Sequence, residues 1–321
     1  MPRSRIAVRP DEVLFRVGTG IFASILVVGV LAIGFELYRQ SRLSIHEFGW
    51  QFWQTDTWDP VSGQFGARPF IWGTLYSSIL AIVISTPIAL GIAIYISELA
   101  PPWLSTPLVF LTELLAAMPS IVYGLWGVFV LVPAVRQLEA ATPAALKSLP
   151  FFTGPALGIG MLSAALILAI MIIPFSSSIA REVLRAVPQA QREGAYALGA
   201  TRWEAIRMAL FYARTGIIGA VMLGFGRALG ETMAVTMVIG NNPQITWSLY
   251  APQYTMAAVL ANEFTEAADD LYLHALIEIG LVLFIITLII NAISRLFIWS
   301  MARQRKPRLV PAAPAVAKAT A

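Results

Sequence analysis

Cysteine is absent from this chain, and that one absence removes disulfides, thiolate metal sites and cysteine nucleophiles together. Lysine is nearly absent: Lys147, Lys306 and Lys318 are the whole complement. None follows a glycine in a G-x-x-x-x-G-K-[ST] loop, so the chain has no nucleotide loop of its own. It contains neither an H-E-x-x-H zinc motif nor a nucleophile elbow, and His46 and His274 stand without metal-ligand company. Charge is scarce as well, at 12% of residues, where a soluble domain carries about 25%. A soluble enzyme is therefore disfavoured, no metal or cofactor is expected, and any ATP that powers the protein must be bound by another chain.

What the sequence has instead is apolar length, with 58% of its 321 residues hydrophobic. About 20 apolar residues cross a 30 Å hydrocarbon core. Six runs meet that length, at 17–38, 71–97, 108–133, 156–175, 215–240 and 273–299, which predicts an all-α integral membrane protein with six transmembrane helices. Pro119 is expected inside the third span, where neighbouring helices satisfy the carbonyl it frees. Pro87 and Pro174 mark expected kinks or ends. The first apolar run is too long, and too far behind its charged leader, for a cleavable signal peptide. The net charge of +4 follows membrane topology rather than nucleic-acid binding.

Fifteen Lys and Arg residues fall in the leader, the 98–107 loop, the 176–214 segment and the tail, against five in the alternate loops. That bias predicts a multi-pass protein with both termini cytoplasmic. The loop 241–272 carries Glu263, Glu266, Asp269 and Asp270 and no Lys or Arg, consistent with an outer face. Trp72, Trp103, Trp247 and Trp299 fall near expected span ends, as an aromatic belt requires. The resulting division is a basic leader 1–16, a transmembrane domain 17–300 with outer segment 39–70, and a basic Pro/Ala-rich tail 301–321 too poor in apolar bulk to fold alone. The tail's basic residues suit anionic lipid headgroups. Trp50, Phe52, Trp53 and Trp58 are expected to form an interfacial cap on the outer segment, with a docking surface as the sharper alternative. Glu113 and Glu278 are expected to be helix-end charges within reach of headgroups.

Two stretches carry chemistry. In the first, Arg227 and Glu231 lie i,i+4 inside the fifth apolar run, a spacing that stacks both side chains on one helix face. A charged residue there costs about 2.5–3.5 kcal/mol on the lenient insertion scales and is a functional-site hypothesis by default. One reading is a structural arginine neutralised by Glu231. The other is an anion path in which the forked guanidinium meets tetrahedral oxygens, with Glu231 as counter-charge or gate. Thr232 and Thr236 are secondary candidates to line such a path, against the commoner habit of bonding their own helix. In the second stretch, Pro188 opens a short helix, Ala190, Gly194, Ala197 and Leu198 form a narrow face, and Gly199 stops it with a left-handed cap. Thr201 and Glu204 form a T-x-x-E capping box that starts a second short helix. Physics leaves two readings open for this pair, an interfacial element on headgroups and a docking element for a soluble partner.

Glu193-Gly194-Ala195 followed by Gly199 resembles the EAA-x-x-x-G signature of ABC-importer permeases, with Gly194 where alanine is usual and Phe211-Tyr212 where a Leu-Pro pair is usual. Three further stretches resemble the C-type permeases of phosphate ABC importers: Trp58 to Leu75, Met118 to Gly127 and Gly226 to Val235. The resemblance runs from about residue 12 to 300. It implies a type I ABC importer permease fold in the bacterial inner membrane, with a coupling helix built around Glu193, Gly194, Ala195, Gly199, Thr201 and Glu204. The implied partners are a sister A-type permease, an ATPase dimer and an extracytoplasmic phosphate-binding protein. It also implies that Arg227, Glu231, Thr232 and Thr236 face the path of phosphate. Arginine does not distinguish tetrahedral anions, so permeases for molybdate or sulfate stay open, as do an ATPase-independent anion transporter and a signalling scaffold.

Overall fold

A computed structural model describes residues 10–303, leaving most of the leader and the tail after Arg303 outside it. The chain folds as α1 (Pro10–Gln40), α2 (Arg42–Phe48), α3 (Arg68–Ile94), α4 (Pro102–Ala117), α5 (Ser120–Trp126), α6 (Val132–Ala141), α7 (Ala144–Lys147), α8 (Met161–Arg185), α9 (Gln189–Ala197), α10 (Arg202–Leu229), α11 (Met233–Thr236), α12 (Met256–Glu263) and α13 (Asp270–Arg303). Among the described residues six helices are long and apolar enough to cross a membrane: Phe15–Gln40, Arg68–Leu99, Ser120–Ala141, Met161–Arg185, Arg202–Leu229 and Asp270–Met301. Among the described residues no β-strand forms beyond isolated backbone bridges.

The six spans number as expected, but three have other bounds: the fourth, expected at 156–175, runs over Met161–Arg185, and the third and fifth differ more. The apolar run 108–133 is two helices. Met118 adopts an extended conformation (φ −64°, ψ 138°) and Pro119 precedes the first turn of α5, so α4 ends and a new helix starts. This is the bias that proline imposes on the residue before it. The Tyr123 hydroxyl spans the break by donating to Leu115 O at 2.8 Å. The span proper is α5 to α6, continuous through a wider π-type turn at Gly127–Leu131. The fifth span is displaced in the other direction, running from Arg202 to Leu229 and stopping there. Pro87 and Pro174 lie inside continuous helices and end neither.

The central element is α8, the most buried of the spans. Met161, Ile167, Leu168, Met171 and Ile172 are almost fully enclosed between α3, α5 and α11. By contrast α1 is exposed along its apolar length and touches mainly α13, as a helix facing lipid would be.

The outer segment does not form a flat interfacial cap. Phe52 and Phe65 are buried with Phe70, Tyr254 and Tyr272 in a core under α12 and α13, and only Trp50 of the four candidate aromatics is largely exposed. Trp58 packs edge-on against Phe70 at 4.9 Å and donates its Nε1–H to Glu263 at 2.8 Å. Burial also raises the Tyr254 phenol well above the ordinary tyrosine range. Nor is Glu278 a headgroup charge: it is 3% exposed and its Oε2 accepts the Ser44 hydroxyl at 2.5 Å. Glu113 is indeed exposed, but it pairs with the buried Arg181 of α8 at 3.2 Å.

Candidate functional site

The core of the candidate site is a helix that stops midway. Arg227 lies in the last turn of α10, whose C-cap is Gly230. Its guanidinium carbon sits 5.4 Å over the ring of Phe175, a residue near the middle of α8. A methyl built on Gly224, one turn earlier, would meet Ser176 Oγ and the Ile172 side chain, also in the middle of α8. The break therefore falls at mid-depth of the bundle. Irregular backbone at that depth is tolerated only where it is buried in protein or lines a water-filled cavity.

The Arg227–Glu231 stack expected from i,i+4 spacing is not formed, because the helix ends between them. Among the described residues no ion pair joins the two. Each serves one side of the gap instead. Arg227 brings its positive charge to the carbonyl end of α10, where the helix dipole is negative. Glu231 Oε1 accepts the Ala234 N–H of α11 at 3.3 Å, the complementary arrangement at an amino end. The Arg227 Nε is buried and lacks a hydrogen-bond partner, so the fork has donor capacity to spare. Thr232 donates to Gly230 O at 3.3 Å and Thr236 to Thr232 O at 2.7 Å. Gly230 and Met233 are exposed, while Arg227, Glu231, Thr232 and Thr236 are half-buried.

Glycine sets how closely the break approaches its neighbours. A Cβ on Gly124 of α5 would lie 2.6 Å from Met237 Sδ and 3.1 Å from Ala234 Cα, so α11 nestles against a helix surface that only glycine permits. Past α11 the chain returns through extended backbone, with Gln253 N–H bonded to Ile239 O at 3.1 Å. Trp72 and Tyr76 of α3 hold that return by donating to Thr246 O and Trp247 O.

The second candidate element sits at the far end of α10. Gly199 adopts φ +84° after α9, the left-handed conformation its stop requires. Thr201 Oγ1 accepts the Glu204 N–H at 3.4 Å, and Glu204 Oε2 accepts the Thr201 N–H at 2.7 Å. The second helix of the pair is not short: it is the beginning of α10, so α9 is joined to the helix break by 28 continuous helical residues. Residues 176–185, assigned to a connecting segment by composition, are the last turns of α8. Ala195 turns inward, whereas Glu193, Gly194, Ala190, Ala197 and Leu198 face outward. Sequence reasoning passed over Arg192 beside them. It packs its guanidinium against Glu98 at the end of α3, in a cluster that no local spacing pattern would bring together.

A family model described as the binding-protein-dependent transport system inner membrane component matches residues 85–303, which include both candidate elements. The chain belongs to this permease family. The permease is 46% identical over 296 residues to the "Phosphate transport system permease protein PstC" of Haemophilus influenzae, covering 90% of this chain and 94% of that protein. It is 44% identical to the protein of the same name from Mesorhizobium japonicum, over 88% and 89% of the two chains. Among solved structures, the permease resembles a chain of the MetNI methionine ABC transporter in an inward-facing conformation. The TM-score is 0.54 at 15% identity, covering 72% of this chain and 93% of that one, a likeness of fold.

Proposed function

We propose that this chain is a permease subunit of an ATP-driven importer of inorganic phosphate. The observation that carries the reading is the broken helix at mid-depth, with Arg227 beside the gap holding an unused buried donor, in a chain whose relatives are named phosphate permeases. The permease lies in the bacterial inner membrane with both termini and α9 on the cytoplasmic side, as the Lys and Arg distribution favours. A sister A-type permease completes the path, an ATPase dimer docks on α9 around Glu193, Gly194 and Gly199, and a binding protein delivers phosphate from outside.

Closure of the ATPase dimer pushes α9 and, through α10, shifts the break at Gly230. Phosphate arriving at the break meets the Arg227 fork, whose planar donors match two anion oxygens. The site is weak by construction: the anion must enter readily and leave again, and the Glu231 carboxylate on the other side of the break opposes a lingering guest. Thr232 and Thr236 offer hydroxyls along the same surface.

The test is uptake of radiolabelled phosphate into proteoliposomes containing this chain, its sister permease, the ATPase and the binding protein. ATP-dependent uptake that excess unlabelled phosphate suppresses, and equal sulfate or molybdate does not, supports the assignment. Uptake that sulfate or molybdate suppresses better than phosphate overturns the substrate, and uptake without ATP overturns the energy source.

A further inference from the structure

Glu98 closes the π-type turn Tyr95–Leu99 that ends the α3 span, and its side chain is 11% exposed. Arg192 of α9 reaches it with both faces of its fork: Nη2 to Oε1 at 2.6 Å and Nε to Oε2 at 3.3 Å. The same guanidinium donates to Leu184 O at 2.9 Å and Val187 O at 2.8 Å, two carbonyls at the end of α8. From the start of α10, Arg202 Nη2 donates to the Glu98 carbonyl at 2.7 Å. The Arg192 guanidinium, together with the carboxylate and the main-chain carbonyl of Glu98, thus gathers the ends of α3, α8, α9 and α10. Bidentate, charge-assisted bonds of this kind fix relative orientation as well as charge.

The geometry matters because α3 is separated in the chain from the other three by α4 to α7. The segment α8–α9–α10 is a single stretch of chain, so α10 follows α9 whatever its side chains do. Nothing in the connectivity obliges α3 to follow. Apolar packing joins them too, with Ala93 against Ala180, Leu184, Val187 and Ala209, but small smooth side chains permit sliding and the Arg192 fork does not. Further along, Ile82 of α3 lies beside Gly224 of α10, one turn before Arg227. Movement of α3 therefore reaches the helix break from a second side.

We infer that the Arg192–Glu98 pair is a mechanical clamp that makes α3 move with α9, so that displacement of α9 reaches the break through two helices rather than one. Both are positioning residues, acting through the helices they join. The clamp rests on the docking role proposed for α9, and it differs from that role because both side chains turn into this chain, 21% and 11% exposed, and bond one another.

Two variants test it in the reconstituted complex. Glu98→Gln keeps the shape and leaves Arg192 its carbonyl partners, and Arg192→Lys keeps the charge without the fork. In both, complex yield and basal ATP hydrolysis persist while phosphate carried per ATP falls about fivefold or more, the low end of ordinary coupling free energies. The double variant Glu98→Gln with Arg192→Lys lowers the ratio no further than either single change, which two independent folding defects would not do. Labels at Ala100→Cys and Gln191→Cys, the latter exposed on α9 and outside the small-residue face, are placed in a chain without native cysteine and supply a readout independent of the anion. Their separation stays fixed through the ATP cycle with Glu98 present and varies in Glu98→Gln. A wild-type transport ratio in Glu98→Gln, or a separation equally fixed in both chains, overturns the clamp. Failure of the unmodified complex to take up phosphate overturns the substrate reading instead, and the label distances then decide the clamp alone.

Discussion

Arg227 and Glu231 occupy opposite lips of one gap, and each is locally useful without the other. Arg227 offsets the negative end of α10, and Glu231 caps the start of α11. This division leaves the guanidinium with an uncommitted donor, which a closed ion pair would have consumed. Two glycines illustrate the opposite demands of packing and docking. A Cβ on Gly73 would lie 2.1 Å from Tyr254 O, a backbone atom that cannot give way. Gly73→Ala is expected to destabilise the protein by about 1–3 kcal/mol, the usual cost of overpacking. A lowered melting temperature in detergent checks this, and a melting curve like that of the unmodified protein would contradict it. Around Gly194 nothing lies within 4 Å of a built Cβ. Gly194→Ala, inside α9, should therefore gain about 0.5–1 kcal/mol from helix entropy, read in the same assay. Impaired melting there would show that the open space is filled in the native fold.

Elements decide where these residues meet, and here the sequence was partly legible. The length of the apolar runs revealed six spans, and the Gly199 stop and the Thr201–Glu204 box were readable because they are local chemistry. The two breaks were not read, because hydropathy continues unchanged across them. Met118-Pro119 and Gly230 nevertheless carried the signals: proline biases the residue before it away from helix, and glycine is a common stop. Treating Arg227 and Glu231 as an i,i+4 pair assumed the continuity that Gly230 interrupts. The Arg192–Glu98 cluster and the buried Glu278 were beyond reach, since each depends on residues far apart in the chain. At this scale Thr201→Ala should cost about 1 kcal/mol through loss of the cap. Because the cap sits at one end of α10, faster hydrogen exchange is expected across residues 199–206 with the α8 core unchanged. Uniform acceleration through α8 would mean that the cap supports the whole bundle.

At the scale of the whole molecule, a buried axis of α8 is surrounded by helices whose outer faces remain apolar and exposed, α1 above all. That surface suits lipid on one side and a sister subunit on another. The orientation proposed from charge bias is directly measurable in a chain without cysteine. Ala190→Cys and Ser148→Cys, both at exposed positions, should label oppositely in intact cells. The impermeant maleimide is expected to reach Ser148→Cys and not Ala190→Cys, and the reverse pattern would invert the topology. Above topology stands the claim that phosphate passes the break beside Arg227. The most direct measurement is ATP-dependent phosphate uptake by the reconstituted complex carrying Arg227→Gln, with basal ATP hydrolysis followed in parallel. Loss of one charge-assisted donor, worth about 1.5–3 kcal/mol, should reduce uptake tenfold or more while the complex assembles and hydrolysis continues. Undiminished uptake in Arg227→Gln would contradict the account and return that arginine to a purely structural role at the end of α10.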